Sequence, residues 1–362
     1  MLESILFMTG STGLIGRRWL PLLLEADVSR HVTVMVRDPA RVIRHPRVTT
    51  VIGDLRLPRL GFSRSTWESL TDTITEIVHC AADIRFNRPL AEARAANTDG
   101  TGTVLALARE SDRLRRFAHV STAYVMGRDS GELPESAYCN RNGFVNTYEQ
   151  SKHEAEGRVF ASMAGLPAAV FRLSSVVGDQ PGYFEKALRL VPQYLFPLMP
   201  GLPEARVDLI DVRWAAAALD CLFERHFEAN SVYHVCAGRE ASIPVWQLAE
   251  LAFSAMPAER RPALVRGEEF DRFTERFLRS GAGEGDKLML RSASSFLPHL
   301  AIDQSFRNEV TLALLRRHGF PDPDSAEVVR TTLAGLSGIT SRAGTSGRAD
   351  TVKPRTSKEP AA

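Results

Sequence analysis

Ser4–Gly16, SILFMTGSTGLIG, runs a short apolar segment directly into three evenly spaced glycines, Gly10, Gly13 and Gly16. An apolar-periodic stretch follows to about Glu25. A strand that turns sharply into a helix needs residues without a Cβ at the turn. The start of that helix then offers free N–H groups and a partial positive charge, a seat for a pyrophosphate. The spacing here is G-x-x-G-x-x-G, one residue longer in its first half than the G-x-G-x-x-G fingerprint. A purely structural turn is the competing reading, and a place at the head of the first βαβ unit weighs against it.

Working outward, strand-like runs recur at His31–Arg37 (HVTVMVR), Val48–Gly53, Glu76–Ala82 (EIVHCAA), Arg116–Thr122 (RFAHVST) and Ala168–Val177 (AAVFRLSSVV), with helical stretches between them. Apolar runs of this kind indicate buried parallel strands. The expected fold is α/β: a Rossmann-type, doubly wound parallel sheet with helices on both faces. VDLIDV, the helix-like RWAAAALDCLFERHF and the strand-like SVYHVCA extend it over 207–240. Residues 1–179 and 207–240 are thus expected to form the dinucleotide-binding domain. Residues 180–206, rich in proline and bulky apolar groups, and the mostly helical 241–335 are expected to form a smaller substrate-binding lobe. The stretch 336–362, rich in Ser, Thr, Gly, Arg and Pro, reads as a disordered tail.

The chain has 362 residues, 44% hydrophobic and 24% charged, with 45 Lys+Arg against 43 Asp+Glu. This composition excludes a wholly disordered chain, a collagen-like repeat and a disulfide scaffold. The near-neutral balance gives no electrostatic case for nucleic acid as a partner, and the short cluster Arg113, Arg115 and Arg116 reads as a solvated helix end. Cys80, Cys139, Cys221 and Cys236 are far apart, with no C-x-x-C pair and no Cys/His ligand cluster. Reduced thiols, no metal and a cytoplasmic setting are expected. MLESILFMTG lacks a basic n-region, and no apolar run approaches the roughly 20 residues of a membrane span.

Two further patterns carry chemistry. The second strand ends on Arg37 followed by Asp38, where an arginine favours a ribose 2′-phosphate and an acid holds the ribose hydroxyl. NADP(H) is therefore the expected cofactor, with NAD(H) the alternative if Asp38 takes the ribose. Arg17 is a second candidate contact. Asp54 in VIGDL is a candidate for the adenine amino group or, alternatively, a loop acid capping the next helix. In NTYEQSKHEAEG, Tyr148 and Lys152 stand four residues apart, which places them on one face of a helix about one turn apart. A nearby ammonium lowers a phenol's pKa and equips it to exchange a proton with a substrate oxygen. The preceding strand ends in Ser121-Thr122, at the side of a parallel sheet where ligands bind.

Together GSTGLIG, GDL at 53–55, HCAAD at 79–83, NTDGTG at 97–102, VSTAYVMG at 120–127, YEQSK at 148–152 and RLSSVVG at 172–178 resemble the extended short-chain dehydrogenase/reductase superfamily. HCAADIRFNRPL, HVSTAYVMG and VDLIDVRWAAAAL look most like its thioester-reductase branch, which includes fatty acyl-CoA reductases and the terminal reductase domains of carboxylic acid reductases and peptide synthetases. SFLPHLAIDQSFRNEVTLALLRRHGF looks similar to free-standing members.

The resemblance implies Thr122, Tyr148 and Lys152 as catalytic residues, with Ser121 an alternative to Thr122. It implies Gly10, Thr12, Gly13, Leu14, Ile15 and Gly16 at the pyrophosphate and Arg37 at the 2′-phosphate. Asp54 and Leu55 fall at the adenine, Ala81 and Ala82 on the ribose side, and Leu173, Ser174 and Ser175 beside the nicotinamide amide. Asn97 falls near the active site, holding backbone or water. RLSSVVGD departs from the branch by lacking the proline often found after its arginine. Phe86, Asn87, Pro89, Leu190, Tyr194, Phe196, Leu198 and Met199 are candidates for the acyl pocket or, equally, for the core of the second lobe. The implied reaction is NADPH-dependent reduction of an acyl thioester, carried by CoA or an acyl carrier protein, to an aldehyde or alcohol. A dehydrogenase or epimerase acting on a sterol-like alcohol or sugar nucleotide, and a non-catalytic cofactor sensor, are the alternatives.

Overall fold

The computed structural model describes residues 4–178, 184, 197–254 and 256–343. Its centre is a seven-stranded sheet of β1 (Ile5–Thr9), β2 (His31–Val36), β3 (Val48–Ile52), β4 (Glu76–His79), β5 (Arg116–Thr122), β6 (Ala168–Leu173) and β7 (Val232–Val235). The spatial order is β3-β2-β1-β4-β5-β6-β7 and every pairing is parallel. Leu6 sits opposite both Val32 and Glu76, so strand order reverses between β1 and β4. A crevice opens at such a switch point, above the C-terminal strand ends.

Side chains alternate across the sheet with the period of 2 that a strand imposes. Leu6 and Met8 face α1 (Gly16–Ala26) and the helix Val212–Arg225, in a core with Trp19, Leu23, Phe171 and Leu219. Phe7, Ile77 and Phe117 face the other way, onto Trp67, Leu105 and Val159 of Arg64–Thr73, Gly100–Arg109 and the helix α2 (Thr147–Ser162). Truncating a fully buried Phe7 or Phe117 to alanine costs about 3–5 kcal/mol.

Two buried ionic groups fasten the sheet. At its N-terminal edge Arg30 pairs with Glu76 at 3.2 Å and Glu224 at 2.7 Å, and Arg116 bonds Glu76. Nearer the crevice, Arg172 of β6 grips Glu156 of α2 through Nε (3.0 Å) and Nη2 (2.7 Å), both side chains almost fully buried.

A third cluster gathers Met199, Val207, Leu248, Phe270, Leu290, Leu297, Leu300 and Val329. Met199 is therefore core, and Leu198 lies beside it on a short strand paired with Ala263–Val265, not on the cavity described below. Leu190, Tyr194 and Phe196 lie outside the described residues. The helix Ser325–Ala343 runs past residue 336, where the tail was expected to begin, because its apolar spacing continues beyond Leu333. No described helix is long and apolar enough to cross a membrane.

The four cysteines are free thiols. One expectation is corrected: Cys221, His226 and His318 do converge, their ligand atoms within 4.8 Å of one another. Spacing concealed this, because His318 is 92 residues beyond His226. The two imidazoles share a hydrogen bond at 2.8 Å. Burial, His318, Arg317 and Arg225 hold His226 below its usual range, a positive setting that disfavours a bound cation.

Candidate active site

Gly10 adopts φ +80°, and a Cβ there would lie 2.6 Å from the backbone nitrogen of Ala81. A Cβ on Gly16 would lie 2.1 Å from the Gly10 carbonyl oxygen, and Gly13 N–H donates to that same oxygen at 3.0 Å. The loop is thus folded on itself and pressed against the end of β4, with no room for side chains at two of its three glycines.

Above it lies a cavity of about 710 Å³. Gly10, Thr12, Gly13, Leu14, Ile15, Gly16, Arg37, Asp54, Leu55, Ala81 and Ala82 line one end. Ser121, Thr122, Tyr148, Lys152, Leu173, Ser174, Ser175 and Phe86 line the middle.

α2 begins where it does because of a capping box: Asn146 Oδ1 accepts from Glu149 N–H at 3.0 Å, while the Glu149 carboxylate accepts from Val145 N–H at 3.0 Å. Tyr148 thereby falls in the first turn and Lys152 one turn later, both facing the end of β5. Lys152 Nζ donates to the Val120 carbonyl oxygen at 2.9 Å and to His119 Nε2 at 3.3 Å. An ammonium has three N–H bonds. Burial pulls the Lys152 pKa down to about 8, against the opposing pull of Glu156 and Cys80. Burial together with Lys152 holds His79 at about 3, so it is neutral.

The phenol behaves contrary to expectation. Burial, with Glu149 and Cys80, pushes the Tyr148 pKa above its ordinary value, and a hydrogen bond with the Thr122 hydroxyl pulls the other way. The ammonium that was expected to lower it is turned onto the strand at Val120 and His119. Phe86 packs on the phenol, ring centroids 5.6 Å apart. The Cys80 thiol is raised to about 11 by burial and is no nucleophile at neutral pH.

Several candidates fall elsewhere. Asn97 is buried off the cavity wall: its Oδ1 accepts from Asp83 N–H at 2.7 Å, and its Nδ2 donates to the Asp83 carbonyl and to Ser151 Oγ, both at 2.9 Å. It holds backbone rather than cofactor. Arg17 and Asn87 also stand off the wall, Arg17 because the first turn of α1 carries it away from the loop. Asp54 meets Arg56 through Nε at 3.0 Å and Nη2 at 2.6 Å, and this pairing draws its carboxyl down to about 2. It also accepts from Arg56 N–H at 2.9 Å, the loop-acid role. Asp38 accepts from Ala40 N–H at 3.0 Å, which occupies one of the oxygens a ribose would use.

The structure adds wall residues that sequence reasoning did not single out: Arg41, Tyr124, Phe184, His299 and Gln304. His299 and Gln304 come from far along the chain, inside the SFLPHLAIDQSF stretch, which carries a resemblance but no assignment to the site.

A nicotinamide dinucleotide fits this floor on two observations. The cradle at Gly10 and Gly16 accepts backbone only. On the cavity wall Ser121 Oγ is buried with no partner among the described residues, a state that a polar ligand relieves.

Residues 38–218 match the family described as male sterility protein, an NAD-binding family. The chain belongs to this family. Within it, the chain falls in the thioester-reductase branch of the extended short-chain dehydrogenase/reductases. A putative fatty acyl-CoA reductase of Drosophila melanogaster is 28% identical over 226 residues, covering 48% of this chain and 41% of the relative. An isonitrile lipopeptide synthase of Streptomyces coeruleorubidus is 33% identical over 191 residues, covering 47% of this chain and 13% of the relative. The chain thus spans less than half the length of these curated relatives. The terminal R domain from the myxalamid PKS-NRPS pathway shares the fold, with a TM-score of 0.74 at 21% identity over 93% of this chain and 91% of that one. A thiolation-reductase di-domain of an archaeal non-ribosomal peptide synthetase gives 0.68 at 17% identity, over 94% and 76%.

Proposed function

We propose that the protein is an NADPH-dependent reductase of acyl thioesters. The observation that carries the reading is the meeting of a hydroxyl, a phenol and an amine (Thr122, Tyr148 and Lys152) on the wall of one cavity whose floor is the glycine loop. When bound along that floor, the reduced dinucleotide supplies the hydride, so that thioester, NADPH and a proton become aldehyde, free thiol and NADP⁺.

The chain's own groups hold the substrate and handle the proton. Thr122 donates a hydrogen bond to the thioester carbonyl oxygen and steadies the charge that grows there. Tyr148 Oη, which burial keeps protonated in the ligand-free protein, gives its proton to that oxygen. Lys152, two of its N–H bonds fixed on β5, turns the third toward the cofactor's ribose. Phe86 covers the phenol and excludes water. Arg37, at the cavity rim with Arg41 and with Asp38 engaged elsewhere, favours the 2′-phosphate of NADPH over NADH.

Residues 197–206 and 241–335 serve as the substrate lobe in this reading, because Arg206, Phe296, Leu300, Ile302 and Phe306 close the cavity opposite the loop. The thioester arrives on CoA or on an acyl carrier protein. The test is loss of NADPH absorbance with panels of acyl-CoAs and carrier-bound acyl groups, beside an alcohol panel with NADP⁺. Turnover of the thioesters supports the reading. Turnover of alcohols alone replaces it with a dehydrogenase, and tight NADPH binding without any turnover replaces it with a sensor.

A further inference from the structure

The cavity roof reaches the start of α2 through the His299 side chain and the Ser295 carbonyl. His299 lies in the turn Leu297–Ala301, whose neighbours Phe296, Leu300 and Ile302 face the cavity. Its Nε2 donates to Glu149 Oε1 at 2.6 Å, and the Glu149 side chain is only 2% exposed. The same carboxylate receives Val145 N–H at 3.0 Å and Asn146 Nδ2 at 2.6 Å. Asn146 Nδ2 also reaches the Ser295 carbonyl oxygen at 3.1 Å. The first turn of α2, which presents Tyr148, is therefore sealed by a capping box whose acid takes one of its three donors from the roof. The imidazole is held on its other side by the Tyr124 ring, centroids 4.7 Å apart, and the Tyr124 hydroxyl meets Ser175 Oγ at 3.1 Å.

We propose that His299 is a positioning residue: through Glu149 it fixes the helix turn that carries Tyr148, and it makes that placement depend on the roof being seated over the cavity. This rests on the reductase reading for its kinetic consequence but not for its structural one. Removing the imidazole leaves a buried carboxylate oxygen short of a donor, and such a group draws its surroundings out of place. A shift of about 1 Å at a proton donor is enough to cost about 100-fold in rate. His299 lines the cavity from the roof beside Phe296, Leu300 and Ile302, so cofactor affinity stays out of the effect, and the split between kcat and KM separates positioning from a direct substrate contact.

The experiment compares the full chain with His299→Ala and His299→Gln; glutamine offers an amide N–H near the place of the imidazole Nε2–H. NADPH dissociation constants, steady-state constants with an acyl-CoA, and amide hydrogen exchange at 146–152 are measured for each. The expected result is a fall in kcat of about 30–100-fold in His299→Ala with KM and the NADPH constant within about threefold, and recovery to within about fivefold in His299→Gln. Combining His299→Ala with Glu149→Gln adds little beyond the worse single change. A rise in KM at unchanged kcat overturns the proposal in favour of a substrate contact. A His299→Gln variant as impaired as His299→Ala overturns it in favour of chemistry by the imidazole itself. If the unmodified protein reduces no thioester, the reductase reading fails, and exchange alone decides: 146–152 exchanging faster in His299→Ala and recovering in His299→Gln upholds the positioning role, and equal exchange in all three refutes it.

Discussion

At the N-terminal ends of the strands, buried Arg30 and Glu76 and half-buried Arg116 and Glu224 close into one ionic network. At the opposite ends, Ser11 and Ser121 are buried with no partner among the described residues, a lysine is stripped of solvent, and a glycine is held at φ +80°. Breaking a buried ion pair leaves an uncompensated charge, so the first edge is stiff. Unfinished hydrogen bonding and desolvated charge mark the other as the edge that a ligand completes. Stability and function are thus placed at opposite ends of the same strands, and each end is open to attack without touching the other.

The sharpest test is Gly10→Ala. Its Cβ meets Ala81 nitrogen at 2.6 Å on a backbone that L residues avoid, and NADPH affinity by calorimetry falls by at least about 100-fold. Tyr148→Phe lowers kcat by about 10²–10⁴ while leaving the NADPH constant unchanged. Glu76→Gln acts at the other end: urea unfolding shows a loss of about 3–5 kcal/mol, with NADPH affinity intact in the folded fraction. Equal loss of affinity in Glu76→Gln breaks the separation of the two ends.

Lys152→Met probes the cost carried by the functional edge. The lysine holds its proton to about pH 8 in the folded chain and to 10.5 when unfolded. Between those values the unfolded state binds more protons, so stability rises with pH across the window, and below pH 8 the burial penalty is felt in full. The methionine variant of the ligand-free protein is therefore more stable by about 3 kcal/mol at pH 7, an advantage that vanishes by about pH 10.5. Unfolding at the two pH values measures it. The smallest effect is at the rim: Arg37→Ser reduces the preference for NADPH over NADH by about tenfold, read from the ratio of kcat/KM values.

The sheet was legible because β-branched runs such as HVTVMV alternate with amphipathic helices, and because a glycine turn has few residues that can build it. The Tyr148–Lys152 pair was legible because helical spacing alone places both on one face. Contacts made across long stretches of chain were not. His299 lies in a stretch that carries only a resemblance, and its role was not legible because its partner Glu149 lies 150 residues away. Asn97 was expected to hold backbone or water near the site and does hold the Asp83 backbone, but its second partner, Ser151, 54 residues on, was not foreseen. The direction of the Tyr148 shift was missed because spacing reports which groups are neighbours, not how dry their surroundings are or where a flexible ammonium comes to rest.

The grip of Arg172 on Glu156 welds the middle of α2 to β6, whose end carries Leu173, so Tyr148 and the wall beside it travel as a single block. Change in the roof segments is then tolerated only where the imidazole of His299 stays on Glu149. A chimera that borrows its roof from a relative therefore keeps a seated first turn of α2 only if the borrowed segment brings a donor to Glu149 in the place of His299.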